Sequence, residues 1–92
     1  MPIVCTLQGE DFFLDGLPAA QRDQAWELLR QRAADIDAFI AVSRYYSGVM
    51  RERLRLPAEK VLVVHNGIDL TGYAPARQRP AQPAVGYLAR LA

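Results

Sequence analysis

Short apolar runs alternate along this chain with longer amphipathic ones, and that alternation predicts strands separated by helices. Residues 3 to 7 (IVCTL), 38 to 42 (AFIAV) and 61 to 64 (VLVV) are apolar and rich in β-branched side chains, as expected of strands buried on both faces. From Pro18 to about Ala34, the apolar residues Trp26, Leu29, Ala33 and Ile36 recur at helical spacing, with Arg22, Asp23, Glu27, Arg30 and Arg32 between them. Pro18 suits the first turn of such a helix, where its missing N–H has no intrahelical partner anyway. Ser43 follows the second apolar run directly and offers a side-chain oxygen to cap a second helix. There Tyr46, Val49, Met50 and Leu54 form an apolar stripe against Arg44, Arg51, Glu52, Arg53 and Arg55, and Pro57 ends it. Gly48 in its middle costs about 1 kcal/mol relative to alanine.

Strands alternating with helices predict the α/β class, with a parallel sheet and right-handed crossovers. The expected architecture is a partial Rossmann-like, doubly wound sheet with the order β-α-β-α-β, occupying residues 1–73. Ala74 to Pro83 (APARQRPAQP) holds three prolines, two arginines and no glycine, and reads as a semi-rigid linker. Beyond it, Ala84 to Leu88 (AVGYL) is expected to form a fourth strand, the opening of a second domain over residues 84–92.

In open parallel sheets, ligands bind outside the carboxyl ends of the strands. That rule brings Gln8, Gly9, Glu10 and Asp11, then Ser43 and Arg44, then His65, Asn66 and Gly67 to one edge, with Asp69 beyond them. Asp35 and Asp37, a D-x-D pattern of the kind that binds metals and nucleotide sugars, fall on the opposite edge and read as the end of a helix and the start of a strand. The stretch Gln8 to Gly16 (QGEDFFLDG) carries three carboxylates and two phenylalanines in nine residues. Two readings stand. In one, the dipole of a helix N-terminus stabilises Asp15; in the other, Glu10, Asp11 and Asp15 accept hydrogen bonds from substrate hydroxyls between walls of Phe12 and Phe13. His65 is either a satisfied structural residue or a base, and Asn66-Gly67 is expected to make a sharp turn.

Charge and composition narrow the field. Eleven basic against ten acidic residues give a net charge of +1, with no broad positive field for nucleic acid. A single cysteine, Cys5, allows no internal disulfide and reads as an inert buried thiol. No apolar run is long enough to span a bilayer, and no signal-like start is present, so the expected location is cytoplasmic. Neither G-x-G-x-x-G nor G-x-x-x-x-G-K-[ST] occurs, which argues against a dinucleotide oxidoreductase or a P-loop enzyme. No serine nucleophile elbow supports a hydrolase built on His65.

The segment AFIAVSRYYSGVMRERLRLPAEKVLVVHNGIDLTGYAP resembles the end of the N-terminal domain of the GT-B glycosyltransferases of family 4, where a strand-Ser-helix unit leads to a strand closing in N-G-[IV]-D. IVCTLQGED resembles that family's strand ending in H-G-x-D, with Gln8 in place of the commoner His. VGYLARL resembles the opening of its C-terminal domain, with Ala89 where Gly is usual. The resemblance implies sugar transfer from a nucleotide-sugar donor to an acceptor hydroxyl with retention, without cofactor or metal. It implies that Gln8, Gly9, Glu10, Asp11, Ser43, Arg44, His65, Asn66 and Gly67 form the acceptor-side cleft and that Arg90 binds the donor diphosphate. It also implies that these 92 residues are the middle of a longer enzyme, inactive alone. Peripheral membrane association fits relatives with lipid-linked acceptors, although residues 18 to 34 mix both charge signs and offer no polybasic patch. The rival reading is a non-catalytic α/β interaction module that forms homo-oligomers through exposed sheet edges.

Overall fold

The computed structural model describes residues 1–90. Strand β1 (Val4–Leu7) leads through a short helix α1 (Glu10–Asp15) into helix α2 (Ala19–Arg32) and a single 3-10 turn (Ala33–Asp35). Strand β2 (Ala38–Ala41) follows, then helix α3 (Arg44–Leu54), a second 3-10 turn (Ala58–Lys60) and strand β3 (Val61–Val63). The three strands make one parallel sheet in the order β1-β2-β3, with Cys5, Phe39 and Val61 abreast and Leu7, Ala41 and Val63 abreast. This is the expected α/β arrangement, a partial Rossmann-like unit.

The local rules explain its joints. Ser43 caps α3 as expected, its hydroxyl accepting the Tyr46 N–H at 3.0 Å. The helix stops at Arg55, which takes a left-handed conformation (φ 55, ψ 45), while Leu56 N–H returns to the Arg51 carbonyl at 2.9 Å. Leu56 is thereby turned into the core, and Pro57 prevents any continuation. Gly48 faces open space where a Cβ would meet nothing within 4 Å. Gly48→Ala is therefore expected to stabilise the protein by roughly 0.5–1 kcal/mol, a rise of several degrees in thermal midpoint; an unchanged or lower midpoint would contradict the packing described for α3.

Both long helices lie on one face of the sheet. Leu7 and Phe39 from the strands pack with Trp26 and Ala33 from the α2 side and with Met50, Leu54 and Leu56 from the α3 side, with Cys5 and Val61 against them. The alternate strand positions point away: Val4 and Leu62 are 58% and 56% exposed, and Thr6 is exposed too. Burial of the strands on both faces is thus corrected to burial on one, because consecutive strands joined in one direction carry their crossovers to the same side. The helical stripes are narrower than expected as well. Leu29 is 38% exposed, and α3 buries Ser47 with Met50 and Leu54.

Past β3 the chain leaves the folded unit. The expected fourth strand, residues 84–88, forms no strand, and Val85, Tyr87 and Leu88 are fully open to solvent. A strand needs a neighbour for its backbone groups, and none lies beside this one among the described residues. The radius of gyration, 18.6 Å, exceeds the about 12 Å of a compact chain of this length, consistent with such an extended segment. Residues 91–92, the end of the expected second domain, lie outside the described residues.

Candidate functional site

Because Leu7, Ala41 and Val63 are register partners, the residues after them emerge from one edge of the sheet: Gln8-Gly9, Val42-Ser43 and Val64-His65. Val64 N–H donates to the Ala41 carbonyl at 3.0 Å and carries the ladder one step toward His65. Three strand ends, each followed by polar residues, therefore share a rim, the arrangement that makes the carboxyl edge of parallel sheets a ligand site. Arg44 lies exposed in the first turn of α3, and His65, Asn66 and Gly67 are exposed beyond β3.

The β1–α1 loop is the most constrained part of the rim. Gly9 takes φ 118, a conformation that L side chains rarely adopt, and caps α1. The Glu10 carboxylate folds back to accept the Gln8 N–H at 3.0 and 3.1 Å and the Gly9 N–H at 3.2 Å. From α3, the Tyr46 hydroxyl reaches the same place. It accepts the Gly9 N–H at 2.9 Å and lies 3.0 Å from both Glu10 Oε2 and Asp11 Oδ1. Burial, and then the carboxylates of Asp11 and Glu10, push the Tyr46 phenol up to about 12, so it remains a neutral donor. The sequence marked Tyr46 only as part of an apolar stripe; its polar end tethers the loop. Within Gln8 to Gly16, α1 occupies Glu10–Asp15, with Glu10 and Asp11 in its first turn.

Asp15 is used structurally, at the other end of that helix. Its Oδ1 accepts from Arg53 at 2.6 Å and from the Trp26 indole at 3.1 Å, and the Arg53 guanidinium sits 5.0 Å from the Trp26 ring centroid. The Arg53 hydrogen bond, supported by that of Trp26, holds the Asp15 carboxyl below the usual aspartate range. A depressed folded-state value stabilises the protein above the unfolded value of about 3.9 and ceases to do so as pH falls through the lower folded one. Thermal melts are accordingly expected to fall more steeply below about pH 4 in the wild type than in Asp15→Asn; parallel pH profiles would show that the contact contributes nothing.

Other residues serve the scaffold. Asp37 Oδ2 accepts the Ile3 N–H at 2.6 Å, pinning the start of β1, and Asp35 pairs with Arg32 at 3.5 Å. Cys5 is half-buried, and burial, then the Glu10 charge, pushes its thiol up, away from reactivity. The sharp turn expected at Asn66-Gly67 is displaced: neither residue has a positive φ, and the turn lies at Leu70–Tyr73, closed by Tyr73 N–H on the Leu70 carbonyl at 3.0 Å. Gly72 supplies φ 87, and Asp69 Oδ1 accepts the Thr71 N–H and hydroxyl at 2.9 and 2.7 Å. Arg90 is exposed at the end of the extended segment and takes part in no hydrogen bond or ion pair among the described residues. Among the described residues no three His, Cys, Asp or Glu side chains gather in a group that could hold a metal ion, and no helix is long and apolar enough to cross a membrane.

An open parallel α/β unit with a polar carboxyl rim defines a ligand-handling domain. The sequence profile of Glycosyltransferase Family 4 matches residues 1–71, from the start of the chain to the turn after β3. The chain belongs to glycosyltransferase family 4, and a domain of this kind works on a sugar donor and an acceptor. Neither the curated proteins nor the solved structures contain a significant match.

Proposed function

We propose that this chain supplies the acceptor-side wall of a GT-B glycosyltransferase that moves a sugar from a nucleotide-sugar donor to an acceptor hydroxyl with retention. The observation that carries the reading is the shared rim of Gln8-Gly9, Ser43-Arg44 and His65-Asn66 in a chain of this family. Glu10, Asp11 and Gly67 complete that wall. Holding the acceptor in one geometry lowers the entropy of the transfer step, while positive groups stabilise the departing diphosphate. In this reading Arg90 is one of those positive groups, residues 74–83 connect two lobes, and residues 84–92 begin the donor lobe. The isolated chain has no transferase activity, since donor and acceptor meet only between the lobes.

Isotope-labelled chain titrated with neutral polyols (myo-inositol and methyl hexosides) tests this directly. Saturable shifts are expected at the amides of Gly9, Asp11, Ser43, Arg44 and Asn66, with no saturable shift there from UDP-glucose or GDP-mannose and no sugar released from either. Tight nucleotide-sugar binding by the chain, or polyol shifts confined to the opposite edge, would overturn the assignment.

The bare sheet face, with Val4, Leu62 and Val64 all more than half exposed, favours a second reading, self-association. Size-exclusion chromatography over a range of concentrations separates the two: a strictly monomeric species counts against pairing of edges or faces.

A further inference from the structure

Past β3 the chain carries its sole asparagine, Asn66, directly before Gly67. An asparagine followed by glycine holds an electrophile, the side-chain amide carbon Cγ, and a nucleophile, the next backbone nitrogen, within reach of a five-membered ring. A Cβ on the following residue crowds that ring, and glycine has none. What remains is whether the fold restrains the pair. Asn66 and Gly67 are exposed, lie outside every helix and strand, and take part in no hydrogen bond among the described residues. An added Cβ at Gly67 would meet nothing within 4 Å, so no neighbouring atom stands against movement of this backbone.

The chain contains a second pair that could close the same ring, Asp15-Gly16, and the structure holds it. Asp15 ends α1, and its Oδ1 accepts from Arg53 at 2.6 Å and from the Trp26 indole at 3.1 Å. The Arg53 contact keeps the carboxyl ionised, and a carboxylate resists attack by an amide nitrogen. Closure there requires the end of α1 and its tether to open first.

We propose that Asn66-Gly67 is a self-modification site, at which the Gly67 nitrogen attacks Asn66 Cγ and the asparagine passes through a succinimide to isoaspartate and aspartate. The N–Cγ bond forms as the Cγ–Nδ2 bond breaks, and Nδ2 leaves as ammonia with the proton of the Gly67 N–H. Water then opens the ring. Addition at Cγ gives aspartate; addition at the backbone carbonyl carbon of residue 66 gives isoaspartate, whose main chain runs through Cγ and is one methylene longer. Water is the only co-reactant, and nothing is oxidised or reduced. Either product places a carboxylate beside His65 on the rim and takes the formal net charge of the chain from +1 to zero. The modification goes beyond the acceptor-side reading and does not depend on it, because it requires only that the pair be unrestrained.

The test holds the full chain in mildly alkaline buffer at physiological temperature and samples it over days. Ion exchange reads the acidic form. After trypsin digestion, an isoaspartyl carboxyl methyltransferase with labelled S-adenosylmethionine reads isoaspartate peptide by peptide. Isoaspartate in peptide 61–77 is expected to exceed that in peptide 1–22, which holds Asp15-Gly16, on the order of tenfold. Urea is expected to raise the rate at Asp15-Gly16 on the order of tenfold while changing that at Asn66 less than about threefold, since only the first pair is restrained by the fold. Gly67→Ala is expected to slow the modification on the order of tenfold, and Asn66→Gln, which would need a larger ring, to remove the acidic form. Asn66 that stays intact in the folded chain while a synthetic peptide 61–77 converts would overturn the proposal, as would the same acidic form appearing in Asn66→Gln.

Discussion

Phe39→Ala is expected to remove most of the folding stability of this chain. Phe39 is the central side chain of the central strand, 2% exposed, between Cys5 of β1 and Val61 of β3 and beneath the helices. Truncating a buried phenylalanine costs about 3–5 kcal/mol, the lost burial plus the cavity left behind. A chain of this length has a total stability at the low end of about 5–14 kcal/mol, and with one sheet face bare there is no second core to compensate. Urea denaturation followed by far-UV circular dichroism measures the effect. A variant whose midpoint matches the wild type would show that the sheet-helix interface is not the core.

Trp26→Ala is expected to be comparably severe, for a different reason. Trp26 is 5% exposed and is the point where all three helices meet. It packs from α2, donates to Asp15 of α1 and lies under Arg53 of α3. Removing it costs about 3–5 kcal/mol of packing, and the cation-π contact adds about 0.5–1 kcal/mol. Trp26→Phe retains most of the apolar area but not the indole donor, so its loss is expected to be under half that of the alanine variant. Since Trp26 is the sole tryptophan, its own emission follows unfolding of the wild type, and circular dichroism follows the variants. Equal losses in both variants would mean that the hydrogen bond to Asp15, rather than packing, dominates.

Much of the scaffold was legible in local pattern. Helices α2 and α3 follow from the spacing of their apolar residues, the second starts where Ser43 caps it, and the three strands follow from short β-branched runs. The rim follows too, because parallel order obliges the residues after each strand to share an edge. Other features had ambiguous signals. Gly9 followed by two acids is a helix start, yet six residues of α1 are too few for a periodic stripe, so the pattern predicts no helix there. An aromatic residue in an apolar stripe reads as core, and nothing local reveals that the Tyr46 hydroxyl ends at Gly9, 37 positions earlier. Asn-Gly tolerates a turn without requiring one; the backbone turns instead where Asp69 binds Thr71 and Gly72 adopts a positive φ.

The amino-acid sequence alone determined the alternation of three strands with two long helices, the parallel sheet and the identity of the residues at its carboxyl rim, because these depend on periodicity, capping and chain connectivity. Only the tertiary structure decided which face of the sheet is covered, that Asp15 belongs to Trp26 and Arg53, and that Glu10 and Asp11 meet at the Tyr46 hydroxyl. Those outcomes depend on contacts between residues far apart along the chain, where the geometry of packing outweighs any preference that neighbouring residues express.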